Sequence, residues 1–164
     1  MVYSQSHILL SDDRKITFHN VTDAVKKAVK DSKITTGIVN VSTPHTTCSI
    51  ITQEQAFDLS VSGLETLQQD FVEALEKSVP DCRREGLFLH PGPKAIAFAA
   101  EHDEDLRGCH NTDAHLRSAL VGRSETIAVI ENTPDLGDFG NVYLIDFDTT
   151  RQRKRKLRIT VIGE

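Results

Sequence analysis

Seven histidines stand in a chain of 164 residues, and imidazole is the side chain best suited to metal binding and to proton transfer near pH 7. Four of them lie in polar segments rich in acids and turn residues: His45, His102, His110 and His115. The other three, His7, His19 and His90, show no such pattern. Three histidine ligands around an open fourth position form a catalytic zinc site. The spacing of these histidines matches no contiguous metal-binding signature such as H-E-x-x-H. The alternative to a metal site is therefore that they are surface histidines surrounded by acidic residues.

Hydrophobic periodicity and turn residues place the elements that must position these histidines. Alternating or β-branched runs predict strands over residues 3–10, 15–19, 34–41, 46–52, 125–131, 142–147 and 157–162. Helical spacing and capping residues identify four candidate helical segments, 21–29, 57–79, 94–100 and 114–120, of which we expect two or three to be helices. Strands at both ends with helices between them favour the α+β class with a mainly antiparallel sheet.

Length and composition favour one globular domain over residues 1–164, with 38% hydrophobic residues and a net charge of −5. The acidic balance, 5% aromatic content and lack of Trp argue against a nucleic-acid binder. Three cysteines without a C-x-x-C pair are typical of reduced thiols. With no signal peptide and no run long enough to span a membrane, we expect a soluble cytoplasmic protein.

A basic run, Arg151-Gln152-Arg153-Lys154-Arg155-Lys156, stands out from the acidic background. Such a run can be a nuclear address or a nucleic-acid patch, and it therefore leaves nuclear access open. Between two predicted strands it is more often the solvated tip of a hairpin. A third interpretation is a phosphate clamp in which one or two arginines, with Arg151 and Arg153 as candidates, bind a phosphorylated substrate.

Several motifs resemble those of the YjbQ family, described as secondary thiamine-phosphate synthases. His45-Thr46-Thr47-Cys48-Ser49-Ile50 with Gln53-Glu54 resembles its "HTS/T-A-S/G-I/L … N-E-N" block. Glu101-His102-Asp103 resembles "Y-x-H-D", and Asp113-Ala114-His115-Leu116 resembles "D-x-H-I/L". The end of the chain, Val161-Ile162-Gly163-Glu164, resembles "I-x-G-E". The resemblance covers nearly the whole chain.

The resemblance implies a compact, YjbQ-like α+β fold assembled as a homotrimer. It implies a divalent metal, with zinc the expected ion, held by His45, His102 and His115. It also implies a transferase that joins a pyrimidine diphosphate to a thiazole phosphate, and hence a small phosphorylated substrate. A non-catalytic trimeric scaffold with a closed structural metal site is the rival hypothesis.

Carboxylates close in sequence to these histidines are candidates for proton transfer or for orienting the histidine rings. Glu54, just after the His45 block, is the candidate general acid or base, with surface charge as its alternative. Asp103 and Asp113 are expected to orient His102 and His115, because metal-bound histidines donate their second N–H to a carboxylate.

Two of the cysteines and one corner of the chain differ from the sites described above. Cys48 is expected to be a small buried residue, and Cys109 is a weak candidate nucleophile beside His110. Leu136-Gly137-Asp138-Phe139-Gly140-Asn141 departs from the family's "L-G-T-W-Q-G", which puts its substrate choice in question.

Overall fold

The computed structural model describes residues 1–12, 14–82, 86–102, 104 and 110–164. The strands are β1 (Val2–Leu10), β2 (Thr17–Asn20), β3 (Thr36–Ser42), β4 (Cys48–Glu54), β5 (Ser124–Ile130), β6 (Thr133–Pro134), β7 (Gly140–Asp146) and β8 (Lys154–Gly163). The helices are α1 (Thr22–Ser32), α2 (Thr66–Ser78), α3 (Pro93–Glu101) and α4 (Thr112–Val121). The expected α+β class is confirmed, with four helices in the described part of the chain rather than two or three.

Helix α2 begins nine residues later than the hydrophobic spacing predicted. Its start is set by a capping box, in which the Glu65 side chain accepts from the third helical residue and Gln68 accepts from the Glu65 backbone. The segment before it, residues 55–65, is a loop closed by a bridge between Leu59 and Glu65. Apolar residues at helical spacing, such as Leu59, therefore belong to a loop here.

Every strand pairing in the two sheets is antiparallel. A five-stranded sheet has the order β1-β8-β3-β5-β6, and a three-stranded sheet has the order β2-β7-β4. Gly37 and Gly163 face each other between β3 and β8, where a Cβ on Gly37 would come 2.1 Å from the Ile162 carbonyl oxygen. A side chain at position 37 would therefore not fit between these two strands.

Two hydrophobic clusters lie on either side of the three-stranded sheet, one between it and the five-stranded sheet and one between it and helices α2 and α4. The larger cluster joins the inner face of the five-stranded sheet, helix α1 and one face of β7; its centre includes Val29, Val39, Leu144 and Ile159. The smaller cluster joins the other face of β7, through Tyr143 and Ile145, to residues of α2 and α4. Strand β7 is buried on both faces, which explains its nearly continuous apolar sequence.

The outer face of the five-stranded sheet has no layer packed on it among the described residues. Along β1 its exposed side chains alternate with half-buried ones on the inner face, and along most of β5 and β8 its exposed or half-buried side chains alternate with buried ones. No helix in the described part of the chain is long and apolar enough to cross a membrane.

Candidate functional site

A cavity of about 420 Å³ lies at the end of the two sheets where β4 and β8 begin and β7 ends. Residues from the β3–β4 loop, helix α3, the start of α4 and strand β8 surround it. The lining includes Pro44, His45, Thr46, Thr47, His90, Ala95, Phe98, Ala99, Glu104, Asn111, His115, Asp148, Arg153 and Arg155. A volume of this size suits a small-molecule ligand.

His45 is held by the backbone of β8. The backbone N–H of Lys156 donates to His45 Nε2 at 2.9 Å, so the neutral ring carries its proton on Nδ1. Burial lowers the pKa of His45, and the nearby Arg155 charge lowers it further. His45 is therefore neutral at pH 7.

The rings of His115 and His90 contact each other on the cavity wall, with their centroids 5.6 Å apart. Burial lowers the pKa of His115, and the neighbouring His90 lowers it further. Thr112 Oγ1 donates to the His90 carbonyl at 2.7 Å and, having one proton, must accept from His90 Nδ1 at 2.8 Å. The His90 ring thus spends its N–H on a fixed acceptor and keeps a lone pair on Nε2 when it is neutral.

His102 is not among the cavity residues. It follows the last residue of α3, where its ring is exposed and stacks on Phe98 with centroids 4.0 Å apart. Its Nδ1 donates to the Phe98 carbonyl at 2.8 Å. The structure therefore brings together His45, His90 and His115, with His102 behind the Phe98 ring.

A buried ion pair forms the floor of the cavity. Arg155 Nε and Nη2 donate to the two carboxylate oxygens of Asp146 at 2.6 and 2.9 Å, and Nη2 also donates to Thr47 Oγ1 at 2.9 Å. Arg155 is only 4% exposed, so this part of the basic run is not a solvated tip. The pair fixes the β3–β4 loop that carries His45 against β7 and β8.

Asp148 is a fully buried carboxylate beside that pair. It accepts from Asn111 Nδ2 at 3.1 Å and from the backbone and hydroxyl of Thr150. Burial alone would raise the pKa of Asp148, but these hydrogen bonds and the Arg153 charge hold it below its ordinary value. The group stays ionised and gives Arg153 a fixed counter-charge.

Arg153 reaches the cavity with part of its guanidinium exposed. Its buried Nε forms an ion pair with Asp148 Oδ2 at 3.1 Å, although the angle does not make a hydrogen bond. Arg151 lies outside the lining residues, with Nη2 3.7 Å from the rim carboxylate of Glu104. Of the two proposed phosphate-binding arginines, the structure places Arg153 at the cavity.

Asp113 has a different partner from the one expected. Its carboxylate lies 3.7 Å from the buried guanidinium of Arg117 and lines a separate cavity of about 170 Å³. Burial raises the pKa of Asp113, although Arg117 opposes the shift. The carboxylate that acts electrostatically on His115 is Asp148. Asp103 falls outside the described residues, as does Cys109.

Glu54 lies at the opposite end of β4 from the cavity. Six residues separate it from Cys48, which is about 20 Å along a strand. Its side chain is exposed near Gly140, and the structure does not bring it to His45. Cys48 is fully buried, as expected, and burial raises the pKa of its thiol, which makes it a poor nucleophile.

The three histidines implied by the resemblance do not lie together as a metal site. His45 Nε2 is occupied by the Lys156 N–H, and His102 is outside the cavity. Within the described ranges, no three His, Cys, Asp or Glu side chains are grouped to hold a metal ion. His90 and His115 are the residues whose second nitrogen could contribute to one.

Two cavity residues were missed from the sequence. His90 precedes Pro91 in a loop, and only its distance in space from His115 shows its part in the cavity. Asp148 follows a strand of buried residues, and a charged residue at the end of such a strand was the available signal.

Comparison with known proteins shows what this architecture is related to. Residues 6–164 match the family model described as "UPF0047 protein YjbQ-like". A UPF0047 protein of Methanothermobacter thermautotrophicus is 29% identical over 163 residues, covering 99% of this chain and 94% of the relative. One from Methanocaldococcus jannaschii is 30% identical over 145 residues, covering 88% and 84%.

Solved structures agree at the level of the fold. A YbjQ-like protein of unknown function from Sulfolobus solfataricus superposes with a TM-score of 0.74 at 21% identity, covering 100% of this chain and 99% of the other. An uncharacterised YjbQ/UPF0047 protein from Clostridium acetobutylicum gives a TM-score of 0.67 at 26% identity, covering 99% of each chain. With the family model spanning all but the first five residues, this chain belongs to the YjbQ/UPF0047 family.

Proposed function

We propose that the chain is an enzyme that binds a small phosphorylated molecule in the 420 Å³ cavity and acts on it there. The observation that carries the proposal is Arg153, a partly exposed cation that lines the cavity and is positioned there by the buried Asp148 carboxylate, 3.1 Å from its Nε. Guanidinium groups bind phosphate oxygens through paired N–H donors. A bound phosphate or diphosphate would contact the part of the Arg153 side chain that faces the cavity.

The other end of the cavity suits a flat apolar group. Phe98 lines it from α3 together with Ala95 and Ala99, and the Phe98 ring is already stacked on His102. Aromatic side chains bind planar rings by such offset stacking. A phosphorylated heterocycle matches a cavity with a cationic end and an aromatic end.

In this proposal the imidazole rings of His115 and His45 carry out proton transfer. The lowered pKa of His115 keeps it neutral at pH 7, so its second nitrogen can accept a proton from a bound substrate. His45 has its proton on Nδ1 and can donate a hydrogen bond to a substrate oxygen. Glu54, about 20 Å along β4, plays no part in this scheme within one chain.

The reaction we propose to test first is the one implied by the family resemblance. A nitrogen of a thiazole phosphate forms a bond to the methylene carbon of a pyrimidine diphosphate, and diphosphate leaves with the bonding electrons. Arg153 would stabilise the negative charge that develops on this leaving group.

The proposal also includes the assembly of the protein and its location in the cell. We propose a homotrimer, as the resemblance implies, and a cytoplasmic location, where the free cysteines Cys48 and Cys82 stay reduced. The rival, a non-catalytic scaffold, predicts no affinity for phosphorylated compounds.

Calorimetric titration with inorganic diphosphate tests the binding step. We expect Arg153→Ala to weaken the affinity tenfold or more, since a hydrogen bond to a charged group contributes about 1.5–3 kcal/mol. Arg153→Lys should fall between the two, because it keeps the charge and loses the paired donors. Lys77→Ala, at the end of α2, is the control. Equal affinity in wild type and Arg153→Ala would refute this anion site.

Release of diphosphate from a mixture of the pyrimidine diphosphate and the thiazole phosphate tests the reaction. Turnover that is lost in Arg153→Ala supports it. If the protein binds inorganic diphosphate but does not turn over these two compounds, the proposed anion site stands and the proposed substrates are excluded.

A further inference from the structure

Three arginines stand at alternate positions where the chain enters β8: Arg151, Arg153 and Arg155. The Ser11 N–H donates to the Arg153 carbonyl at 3.0 Å and the Arg153 N–H donates to Ser11 Oγ at 3.0 Å, so the pairing of β1 with β8 continues to Arg153. Residues two apart in an extended chain point to the same side. Arg151 follows this direction, since its guanidinium lies beside Glu104 on the cavity rim. The three arginines therefore run from the floor of the cavity to its rim.

The two inner arginines have permanent counter-charges. Arg155 Nε lies 2.6 Å from Asp146 Oδ2 and Arg153 Nε lies 3.1 Å from Asp148 Oδ2, and both carboxylates are fully buried. Asp146 ends β7 and Asp148 is two residues further along, so both acids belong to the same β7–β8 hairpin as the arginines. We do not expect a bound anion to displace either acid, because that would leave a buried charge unpaired.

The outermost arginine has a different kind of partner. Arg151 Nη2 lies 3.7 Å from Glu104 Oε2, and the two side chains are 29% and 48% exposed. Glu104 follows helix α3 and does not belong to the hairpin. An exposed ion pair at this distance contributes little, because water screens both charges. The Arg151–Glu104 contact can therefore be exchanged for a stronger one at little cost.

The charge of Arg151 acts on Arg153. Burial lowers the pKa of Arg153 while Asp148 raises it, and the nearby charges of Arg151 and Arg155 lower it further. The Cα atoms of residues two apart in an extended chain are about 6.6 Å from each other, which two long guanidinium side chains can span around one ligand. An anion between Arg151 and Arg153 would offset the repulsion between them.

We propose that Arg151 is the second anion-binding residue of the cavity and that Glu104 makes this site selective for a diphosphate. This inference rests on the proposed function and specifies its substrate class. One phosphoryl group binds Arg153, and a second one linked to it reaches the rim and takes Arg151 from Glu104. A diphosphate carries more charge than the single Glu104 carboxylate, which favours the exchange. A monophosphate bound at Arg153 leaves the Arg151–Glu104 pair in place.

Calorimetric titration with inorganic phosphate and with inorganic diphosphate tests the role of Arg151. We expect Arg151→Gln to weaken diphosphate binding about fivefold, the upper range for an exposed ion pair, and to change phosphate binding less than about twofold. Arg158→Gln is the matched loss of a cation, since Arg158 is exposed on the opposite face of β8. Unchanged diphosphate affinity in Arg151→Gln, an equal loss for both anions, or the same loss in Arg158→Gln would overturn the proposal.

Removal of the competing carboxylate tests the exchange. We expect Glu104→Gln to strengthen diphosphate binding about threefold, because Arg151 no longer has to leave a carboxylate. The double variant Arg151→Gln with Glu104→Gln should lose this gain. Glu101→Gln, an exposed position of α3 outside the cavity lining, is the matched loss of an acid. A Glu104→Gln variant without any gain, or a gain that persists without Arg151, would contradict the exchange.

The same titrations separate this inference from the proposed function. A wild type that binds neither anion, or an Arg153→Ala variant that binds diphosphate as wild type does, would count against the proposed function. Diphosphate binding that depends on Arg153 and not on Arg151 would keep the anion site and reject the second arginine. Arg151 and Glu104 are both partly exposed, so the fold should persist in these variants, which circular dichroism would verify.

Discussion

At the scale of single residues, hydrogen bonds fix which nitrogen of His45 and of His90 carries a proton. The Lys156 N–H donates to His45 Nε2, whereas His90 Nδ1 donates to Thr112. When neutral, the His45 ring therefore offers an N–H and the His90 ring offers a lone pair. This division is what proton transfer and anion binding both need.

Stability should depend on the charge of His115. Burial lowers its pKa in the folded chain, so between that lowered value and about 6.5 the unfolded chain binds a proton that the folded chain does not. We therefore expect the free energy of unfolding to fall as pH drops below about 6.5, and to fall less in His115→Asn. Urea unfolding at pH 7, 6 and 5 measures it, with His102→Asn, whose ring is exposed, as the control. Parallel pH profiles for wild type and His115→Asn would contradict it.

The Arg155–Asp146 pair should matter most for stability among the cavity's contacts. Asp146→Ala removes the carboxylate that accepts two hydrogen bonds from the buried guanidinium and leaves Asp148, 3.6 Å from Arg155 Nη2, as the remaining counter-charge. We expect a loss of about 3 kcal/mol, the lower end for breaking a buried pair. The double variant Asp146→Ala with Arg155→Met should recover part of that loss, because no buried charge is then unpaired. Denaturant unfolding measures both variants. A single variant as stable as wild type would show that the pair is dispensable.

At the scale of elements, helix α4 carries His115 into the cavity and is held from behind by Arg117. That guanidinium, 1% exposed, donates to the Val79 carbonyl and to Asp81 just after α2. The segment after α2 and the helix bearing His115 are thereby tied together. The position of His115 depends on a residue that does not itself face the cavity.

We expect Arg117→Met to lower the free energy of unfolding by about 3 kcal/mol or more, since it removes a buried charge network and leaves polar groups unpaired. Its affinity for inorganic diphosphate should fall as well, because α4 loses its anchor. Thermal unfolding and calorimetry measure the two effects. Lys77→Ala is the matched loss of an exposed cation, and a comparable stability in both variants would refute the anchoring role.

At the scale of the whole molecule, metal content decides between the histidine sets. A divalent metal, with zinc expected, stays a prediction for this chain. From the cavity geometry we expect His90→Ala and His115→Ala to lower the zinc bound by the purified protein and His102→Ala to leave it unchanged. Elemental analysis after dialysis measures it. Zinc lost with His102→Ala and kept with His90→Ala would restore the set implied by the resemblance.

Much of the molecule could be predicted from periodicity. Apart from the two-residue strand β6, the strands follow from local patterns that the structure bears out, as do the α+β class and helix α4, because burial on one face of an element leaves a repeat in the sequence. The start of α2 was wrong, since Leu59 sits at a helical interval while the capping box at Glu65 decides where the helix begins. Apolar spacing does not separate a helix from an apolar loop.

The sequence by itself determined that this is an α+β chain of the YjbQ/UPF0047 family with seven histidines. Only the tertiary structure decided that His90 rather than His102 joins His45 and His115 at one cavity, and that Asp148 faces Arg153. It also separated Arg155 from Lys154 and Lys156 on opposite faces of β8. The physical reason is range: periodicity is set by neighbours along the chain, whereas a cavity is set by which loops the antiparallel sheets bring to the same end.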